Sequence, residues 1–376
     1  MTMPLSPDDL RLVQRALALA ESAIGLSDPN PRVGCVLHDA AGQLAGEGFT
    51  QQAGGPHAEA MALRAAAGRD LRGGTAWVSL EPCAHHGRTP PCCDALIAAG
   101  VARVVVATAD PFEPVAGQGL ARLRAAGVQV DLAAGTPIER QARELNIGFF
   151  SRVLRRRPWV RMKVAASLDG RSALPNGQSQ WITGEAARQD GHSWRRRAGA
   201  ILSGIGTIRA DDPRLDVRWV PTQRQPLRVV VDSGLSILPE ARVLAPPGEA
   251  LIAMVSGDAA KAAALRARGI EVSTFAGRAG GVDLAALLEA LAERGVNELH
   301  VEAGATLNGA LLGAGLVDEV LAYLAPRLLG PGRDIAALGT MNALADATAW
   351  AFQSHDRLGD DLRIVMRRQG SDAFLG

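Results

Sequence analysis

Three residues of metal-binding type are spaced so that the chain can use them together only by folding their segments onto one point. His57 lies in Gly54-Gly55-Pro56-His57-Ala58-Glu59-Ala60. Cys83 follows Glu81-Pro82, and eight further residues precede Cys92. One imidazole and two thiolates give three protein ligands and leave a fourth tetrahedral position for water, as in catalytic rather than closed structural sites. Of the four cysteines, three (Cys83, Cys92 and Cys93) crowd together, and Cys35 stands apart. With no basic and apolar leader at the N-terminus, that clustering points to metal binding rather than a disulfide framework, and the cytoplasm is the expected compartment.

Local patterns place these residues on the ends of regular elements. Ser6, Pro7, Asp8 and Asp9 suit the start of a helix running to about residue 25. Strands are expected at 32–38, 74–80, 101–107 and 128–132, and helices from His57 to Ala67 and from Cys92 to Ala99. Strand–helix alternation implies a layered α/β domain with a mostly parallel sheet over 1–150. Arg155-Arg156-Arg157-Pro158 is a charged, proline-ended link. Beyond it, strands at 159–165, 227–231, 250–255, 298–302, 317–323 and 362–366, with helices at 184–197, 258–268 and 283–294, predict a second α/β domain over 151–376. With 376 residues, two cores are expected.

The chemistry of the first site follows from residue type. Zinc lowers the pKa of a bound water from 15.7 to about 7. Glu59, two residues after His57, can take that water's proton and pass it to a leaving amine. His-x-Glu followed by Pro-Cys is the signature of zinc deaminases. A structural zinc would need a fourth protein ligand, for which His85, His86 and Cys93 are available. Cys35 and Cys93 otherwise read as buried thiols.

The loop between the two cysteines is long: Cys83-Ala84-His85-His86-Gly87-Arg88-Thr89-Pro90-Pro91-Cys92. It resembles the bifunctional riboflavin-biosynthesis proteins of bacteria, which join a diaminohydroxyphosphoribosylaminopyrimidine deaminase to a 5-amino-6-(5-phosphoribosylamino)uracil reductase. The resemblance continues in Asn30-Pro31-Arg32-Val33-Gly34, Asp110-Pro111 with Val115-Ala116-Gly117, Lys163-Val164-Ala165-Ala166-Ser167-Leu168-Asp169-Gly170, Ser179-Gln180-Trp181-Ile182-Thr183, Ala210-Asp211-Asp212-Pro213 and Val301-Glu302-Ala303-Gly304. It departs at Phe112-Glu113-Pro114, where Asn-Pro is commoner, and at Ala165, where glycine is.

For the first domain the resemblance implies a cytidine-deaminase-like, three-layer fold acting on a pyrimidine ribosyl phosphate. His57, Cys83 and Cys92 would be the zinc ligands and Glu59 the proton shuttle, with Asn30, His85, His86 and Arg88 meeting substrate. For the second it implies a dihydrofolate-reductase-like fold that binds NADPH, although no Gly-x-Gly-x-x-Gly follows a strand. The matching cofactor contacts are Ala166, Trp181, Thr207, Asp211, Ser233 and the turn Gly304, Ala305, Thr306, Leu307, Asn308, Gly309 and Ala310. The matching substrate contacts are Lys163, Ser179, Arg195, Leu215, Arg218 and Glu302. Arg195 and Arg218 suit a phosphate, because a guanidinium forks onto two oxygens. Glu302 and Asp211 are the candidates for an acid in the reductase step.

Two other readings compete: a zinc base or nucleoside deaminase with a degenerate C-terminal domain, and a nucleic-acid-binding protein with structural zinc. The near balance of 40 basic and 39 acidic side chains, and 4% aromatic residues, provide neither a basic field nor stacking platforms for nucleic acid. No apolar run is long enough to span a membrane. A homo-oligomer is expected.

Overall fold

The computed structural model describes residues 5–84, 91–112, 116–277 and 280–376. His85, His86 and Arg88, and likewise Glu113, Pro114 and Val115, lie outside the described residues. The chain divides into two compact units, Met1–Arg155 with Leu375, and Arg156–Phe374 with Gly376.

The first unit contains α1 (Pro7–Glu21), β1 (Gly34–His38), β2 (Leu44–Phe49), α2 (Ala58–Ala65), β3 (Thr75–Val78), α3 (Cys92–Ala98), β4 (Arg103–Val106), α4 (Gln118–Ala125), β5 (Gln129–Leu132), α5 (Pro137–Leu145) and α6 (Ile147–Arg155). Ser6 caps α1 through the Asp9 amide, with Pro7 at the first helical position. The sheet order is β2-β1-β3-β4-β5. β1 pairs antiparallel with both β2 and β3, whereas β3–β4 and β4–β5 are parallel. This sheet is therefore half parallel rather than mostly so. The difference is β2, a glycine-bearing strand that the sequence did not point to. Those glycines are required by packing: a Cβ on Gly48 would stand 2.4 Å from the Ala62 nitrogen of α2. On the other face α1 and α5 bury Leu12, Val13, Ala16 and Ile138 against Val36, Trp77 and Val105. There Gly34 meets α1 so closely that a Cβ would lie 1.9 Å from the Ala16 carbonyl oxygen.

The second unit contains β6 (Trp159–Ser167), β7 (Arg171–Ala173), α7 (Glu185–Arg197), β8 (Ala200–Gly204), α8 (Ile205–Asp211), β9 (Leu227–Val231), β10 (Ala250–Met254), α9 (Ala259–Ala267), β11 (Glu271–Thr274), α10 (Leu284–Glu293), β12 (Glu298–Val301), α11 (Ala305–Gly313), β13 (Glu319–Ala325), β14 (Arg333–Asp334), β15 (Trp350–Leu358) and β16 (Asp361–Arg368). The main sheet runs β11-β10-β9-β8-β12-β6-β13-β16-β15. It is parallel from β11 to β13 and ends in the antiparallel pair β16 and β15. Val160, Met162, Leu202, Val229, Leu251, Leu288, Leu299 and Val301 form its core with α10 and α11. Near-continuous apolar strands are what a parallel sheet covered on both faces requires. Among the described residues no helix is long and apolar enough to cross a membrane.

Candidate functional site

In the first unit the three predicted ligands converge. The ligating atoms of His57, Cys83 and Cys92 all lie within 4.8 Å of one another. His57 Nδ1 is 3.6 Å from the Cys83 sulfur and 3.4 Å from the Cys92 sulfur. A tetrahedral zinc bound at ordinary Zn–S and Zn–N lengths would put sulfur and nitrogen about 3.5 Å apart. The donor set and its spacing thus fit zinc. Local structure explains the placement. His57 is the cap residue of α2 and makes no side-chain capping bond, so its ring is free to turn to the sulfurs. Cys92 opens α3, and its amide donates to the Cys83 sulfur over 3.3 Å. The Cys83 carbonyl in turn accepts from the Cys93 amide.

Electrostatics suit a thiolate and a proton carrier. Sharing a proton with Cys92 leads the effects that push the Cys83 thiol down to about 4, followed by His57 and the Cys92 amide, all against burial. Glu59, in the first turn of α2, is buried at 3% exposure. Burial, followed by the neighbouring Cys83 charge, pushes its carboxyl up to about 7. Cys35 and Cys93 are buried and stand outside the ligand cluster. Burial raises the Cys35 thiol well above its ordinary value and brings Cys93 to about 11. Asn30 sits in a turn, its amide donating to the Ser27 carbonyl. The following Arg32 is buried and tied to Asn146 and the Leu145 carbonyl.

In the second unit β8 and β12 are adjacent parallel strands, and each leads into a helix. Gly304 caps α11 and Gly204 caps α8. The two turns touch: a Cβ on Gly304 would lie 3.5 Å from the Thr207 hydroxyl, and one on Gly204 would lie 3.3 Å from Leu307. Amides at such helix starts, at the carboxyl ends of parallel strands, form a phosphate cradle. The run 304–310 is not uniform, however. Asn308 is buried and donates to the Ala303 and Ile335 carbonyls, and Gly309 packs on Ala337 so tightly that a Cβ would clash at 2.1 Å. These two positions hold the 335–337 segment instead of facing outward. Ala166 is buried on β6, Ser233 follows β9 and Asp211 is exposed at the end of α8. Trp181 is 61% exposed, with the Arg188 guanidinium 4.6 Å from its ring centre. Ser179 is part-buried in the turn leading to Trp181.

Beside that edge lies a buried charged group. Arg195 grips Glu302 through two bonds of 2.5 and 2.8 Å and donates a third to the Asp216 carbonyl. His300 Nε2 is 3.3 Å from the same carboxylate. Burial alone would raise Glu302, but the Arg195 charge and hydrogen bonds hold it well below the usual carboxylate range. Both Glu302 oxygens accept from the Arg195 guanidinium. Burial pulls Lys163 below an ordinary lysine, against the attraction of Glu302. Arg195 is largely engaged within the protein. Arg218, paired at 2.6 Å to Asp216 with a half-exposed side chain, is the more accessible of the two. Leu215 is buried in an apolar cluster with φ of +50°. Asp216, buried and shared by Arg214, Arg218 and the Arg195 contact, was missed from sequence. Nothing near it in the chain except alternating charge could have drawn attention to it.

A thiolate–imidazole site with a buried glutamate, followed by a parallel sheet with paired strand–helix turns, defines a zinc deaminase fused to a nucleotide-dependent reductase. Residues 6–108 match the cytidine and deoxycytidylate deaminase zinc-binding region, and residues 158–364 match the RibD C-terminal domain. The riboflavin biosynthesis protein RibD of Escherichia coli strain K12 is 44% identical over 361 residues, covering 93% of this chain and 96% of that one. That of Aquifex aeolicus is 38% identical, covering 96% and 98%. The structure of Acinetobacter baumannii RibD superposes with a TM-score of 0.87 at 38% identity, covering 96% of this chain and 99% of that one. A Thermotoga maritima structure described as a diaminohydroxyphosphoribosylaminopyrimidine deaminase/5-amino-6-(5-phosphoribosylamino)uracil reductase gives 0.84 at 30%, covering 96% and 98%. The chain belongs to the RibD family of riboflavin biosynthesis. It is a bifunctional deaminase and reductase, with a cytidine-deaminase-like first domain that uses zinc and a dihydrofolate-reductase-like second domain that uses NADPH.

Proposed function

We propose that the first domain deaminates 2,5-diamino-6-(5-phosphoribosylamino)pyrimidin-4(3H)-one, with His57, Cys83 and Cys92 holding the zinc and Glu59 carrying the proton. The observation that carries this reading is the convergence of those three ligands beside a buried glutamate. Zinc so held supplies a water-derived nucleophile at neutral pH. Glu59 takes the proton of the attacking water and delivers it to the amine, which leaves as ammonia while the ring gains a carbonyl. Asn30, with His85, His86 and Arg88 of the long loop, binds the substrate.

The second domain then reduces the ribosyl group of the deaminated product to ribityl. The ribosylamine ring opens to an imine as the bond from the first sugar carbon to the ring oxygen breaks and that oxygen takes the amine proton; NADPH, when bound, would supply the hydride to that carbon, and a solvent proton would restore the amine. The amides at Gly304, Ala305 and Thr306 hold the cofactor phosphate, with Ala166, Trp181, Thr207, Asp211, Ser233, Leu307 and Ala310 around the rest, and Asn308 and Gly309 bracing the turn from behind. Lys163, Ser179, Arg195, Leu215, Arg218 and Glu302 form the substrate side. Arg195 fixes the Glu302 carboxylate, and Arg218 meets the substrate phosphate. Arg218→Ala is expected to raise KM for the phosphorylated substrate about 10-fold or more while leaving kcat within a few-fold, because one charge-assisted bond to a group remote from the reacting carbon is lost. An unchanged KM would remove Arg218 from the phosphate site.

The remaining expectations belong to this reading: domains spanning 1–150 and 151–376, a cytoplasmic enzyme, and a small-molecule substrate with no nucleic-acid or membrane partner. A homo-oligomer is supported by the apolar residues that the second unit leaves exposed, Leu328 at 75%, Leu344 at 97% and Phe352 at 71%.

A further inference from the structure

Glu81 is buried at 4% exposure, yet no arginine or lysine pairs with it among the described residues. Its carboxylate is instead surrounded by main-chain amides. One oxygen accepts from Asp110 over 3.2 Å and from Gly117 over 3.0 Å, and the other accepts from Gly119 over 2.9 Å and from Leu120 over 3.3 Å. Gly117 caps α4 and has no side chain with which to satisfy that helix's first amides. Glu81 supplies the missing acceptor from a distant strand end, and the positive end of α4 favours its negative charge. The Glu81 amide is itself fixed, donating to the Thr108 carbonyl over 3.0 Å.

The next residue is clamped by the same helix. A Cβ on Gly119 would stand 2.0 Å from the Pro82 carbonyl oxygen, so α4 rests directly on Pro82 and only glycine fits there. Cys83 follows, held on its far side by the Cys92 and Cys93 amides. The segment Glu81-Pro82-Cys83 is therefore gripped between two helix starts, α4 through the Glu81 carboxylate and α3 through the Cys83 sulfur and carbonyl.

We propose that Glu81 is a positioning residue of the deaminase: through its four amide bonds it fixes the backbone that presents the Cys83 sulfur to the metal. This rests on the reading of His57, Cys83 and Cys92 as the ligand set. The charge-free isostere is the sharpest probe. In Glu81→Gln one acceptor oxygen becomes an NH2 that faces two amide donors and can bond to neither. Residues that orient ligands typically change metal affinity or activity 10–100-fold when altered.

The test compares wild type, Glu81→Gln, Glu81→Asp, Glu59→Gln and Cys83→Ser, each loaded with zinc or with cobalt(II). Three quantities are read: zinc dissociation into a chelator, the cobalt–thiolate absorption bands, and the kcat and KM of ammonia release. Glu81→Gln is expected to release zinc at least 10-fold faster, shift the cobalt bands and lower kcat more than it raises KM. Glu81→Asp, which keeps the acceptors on a shorter arm, should fall between Glu81→Gln and wild type. Glu59→Gln should keep the wild-type zinc release and cobalt bands. If both Glu81 variants hold zinc and cobalt as wild type does and lose only thermal stability, Glu81 is a helix cap and nothing more, and the proposal is overturned. Should Glu81→Gln not accumulate as folded protein, Glu81→Asp decides on the same criteria. Wild-type metal binding in Cys83→Ser would instead overturn the ligand reading itself, a failure distinct from that of Glu81.

Discussion

The carboxylate of Asp9 accepts from the Ser6 hydroxyl, from Trp77 Nε1 at 3.0 Å and from both terminal nitrogens of Arg103 at 2.7 and 3.0 Å. From sequence this residue suited only the positive end of a helix. Its main partner lies 94 residues away on β4, which no local pattern could reveal. The ligands of the metal site were legible for the opposite reason: histidine, glutamate and two cysteines declare their chemistry by type, and their segments are short. Burial pushes Asp9 up, but its hydrogen bonds outweigh burial and hold it well below the ordinary 3.8. A carboxyl lowered by folding stabilises the native state above its unfolded pKa and ceases to do so as pH falls through the folded one. Asp9→Asn is expected to cost about 2–3 kcal/mol near neutral pH, less than for a fully buried pair because Arg103 is 27% exposed. The gap in Tm between wild type and variant should be widest above about pH 5 and narrow as the pH drops below about 4. A gap that is flat with pH would mean that Asp9 does not act through its charge.

At the scale of elements, the long parallel sheet brings three charged side chains together in its interior. β12, β6 and β13 are consecutive neighbours, which puts Glu319 directly opposite Arg161 and Glu298 two residues along, opposite Trp159, all three charged residues at most 3% exposed. Arg161 reaches Glu298 at 2.8 Å and also bonds Glu319, while Arg197 and Arg367 approach the two carboxylates from outside. Arg161→Ala would take one partner from each of two buried carboxylates. It is expected to cost about 3 kcal/mol, the low end for breaking a buried pair, read as a lower melting temperature of the second unit. A loss below 1 kcal/mol would show that Arg197 and Arg367 suffice. Most strands of this sheet were readable as apolar runs. β8, β15 and the short polar edge strand β11 were not. β8 is a short run that ends in glycine, and β15 is an edge strand exposed along nearly its whole length, so neither shows a half-buried alternation. β2 was hidden because Gly46 and Gly48, which let α2 pack closely, weaken its strand pattern. In the same way α4 was hidden, because its cap residue is Gly117 and the acceptor for its first amides is Glu81, remote in the sequence, and not a neighbouring serine or aspartate.

For the molecule as a whole, two units carry two chemistries, and the division of labour can be separated by single residues. Legibility differed between them. The deaminase site was readable from residue types alone, since metal chemistry restricts the choice of side chain. The positions proposed for the reductase site come only from family resemblance, because main-chain amides at a strand–helix turn leave no side-chain signature beyond small residues. The structure adds that Asn308 and Gly309 pack inward on the 335–337 segment and that Arg195 grips the Glu302 carboxylate. The central claim is that ammonia release depends on Glu59 in the first unit and that NADPH oxidation in the second unit follows from its product. The measurement is a dual assay of ammonia and NADPH absorbance for zinc-loaded wild type and Glu59→Gln, each given first the diaminopyrimidine ribosylamino phosphate and then its deaminated counterpart. Wild type should release ammonia and oxidise NADPH in equal amounts from the first compound. Glu59→Gln should lose roughly 10²–10⁴-fold of the ammonia rate, yet oxidise NADPH normally when given the second compound. Ammonia release by Glu59→Gln at the wild-type rate, or NADPH oxidation by wild type from the first compound without ammonia, would contradict the account.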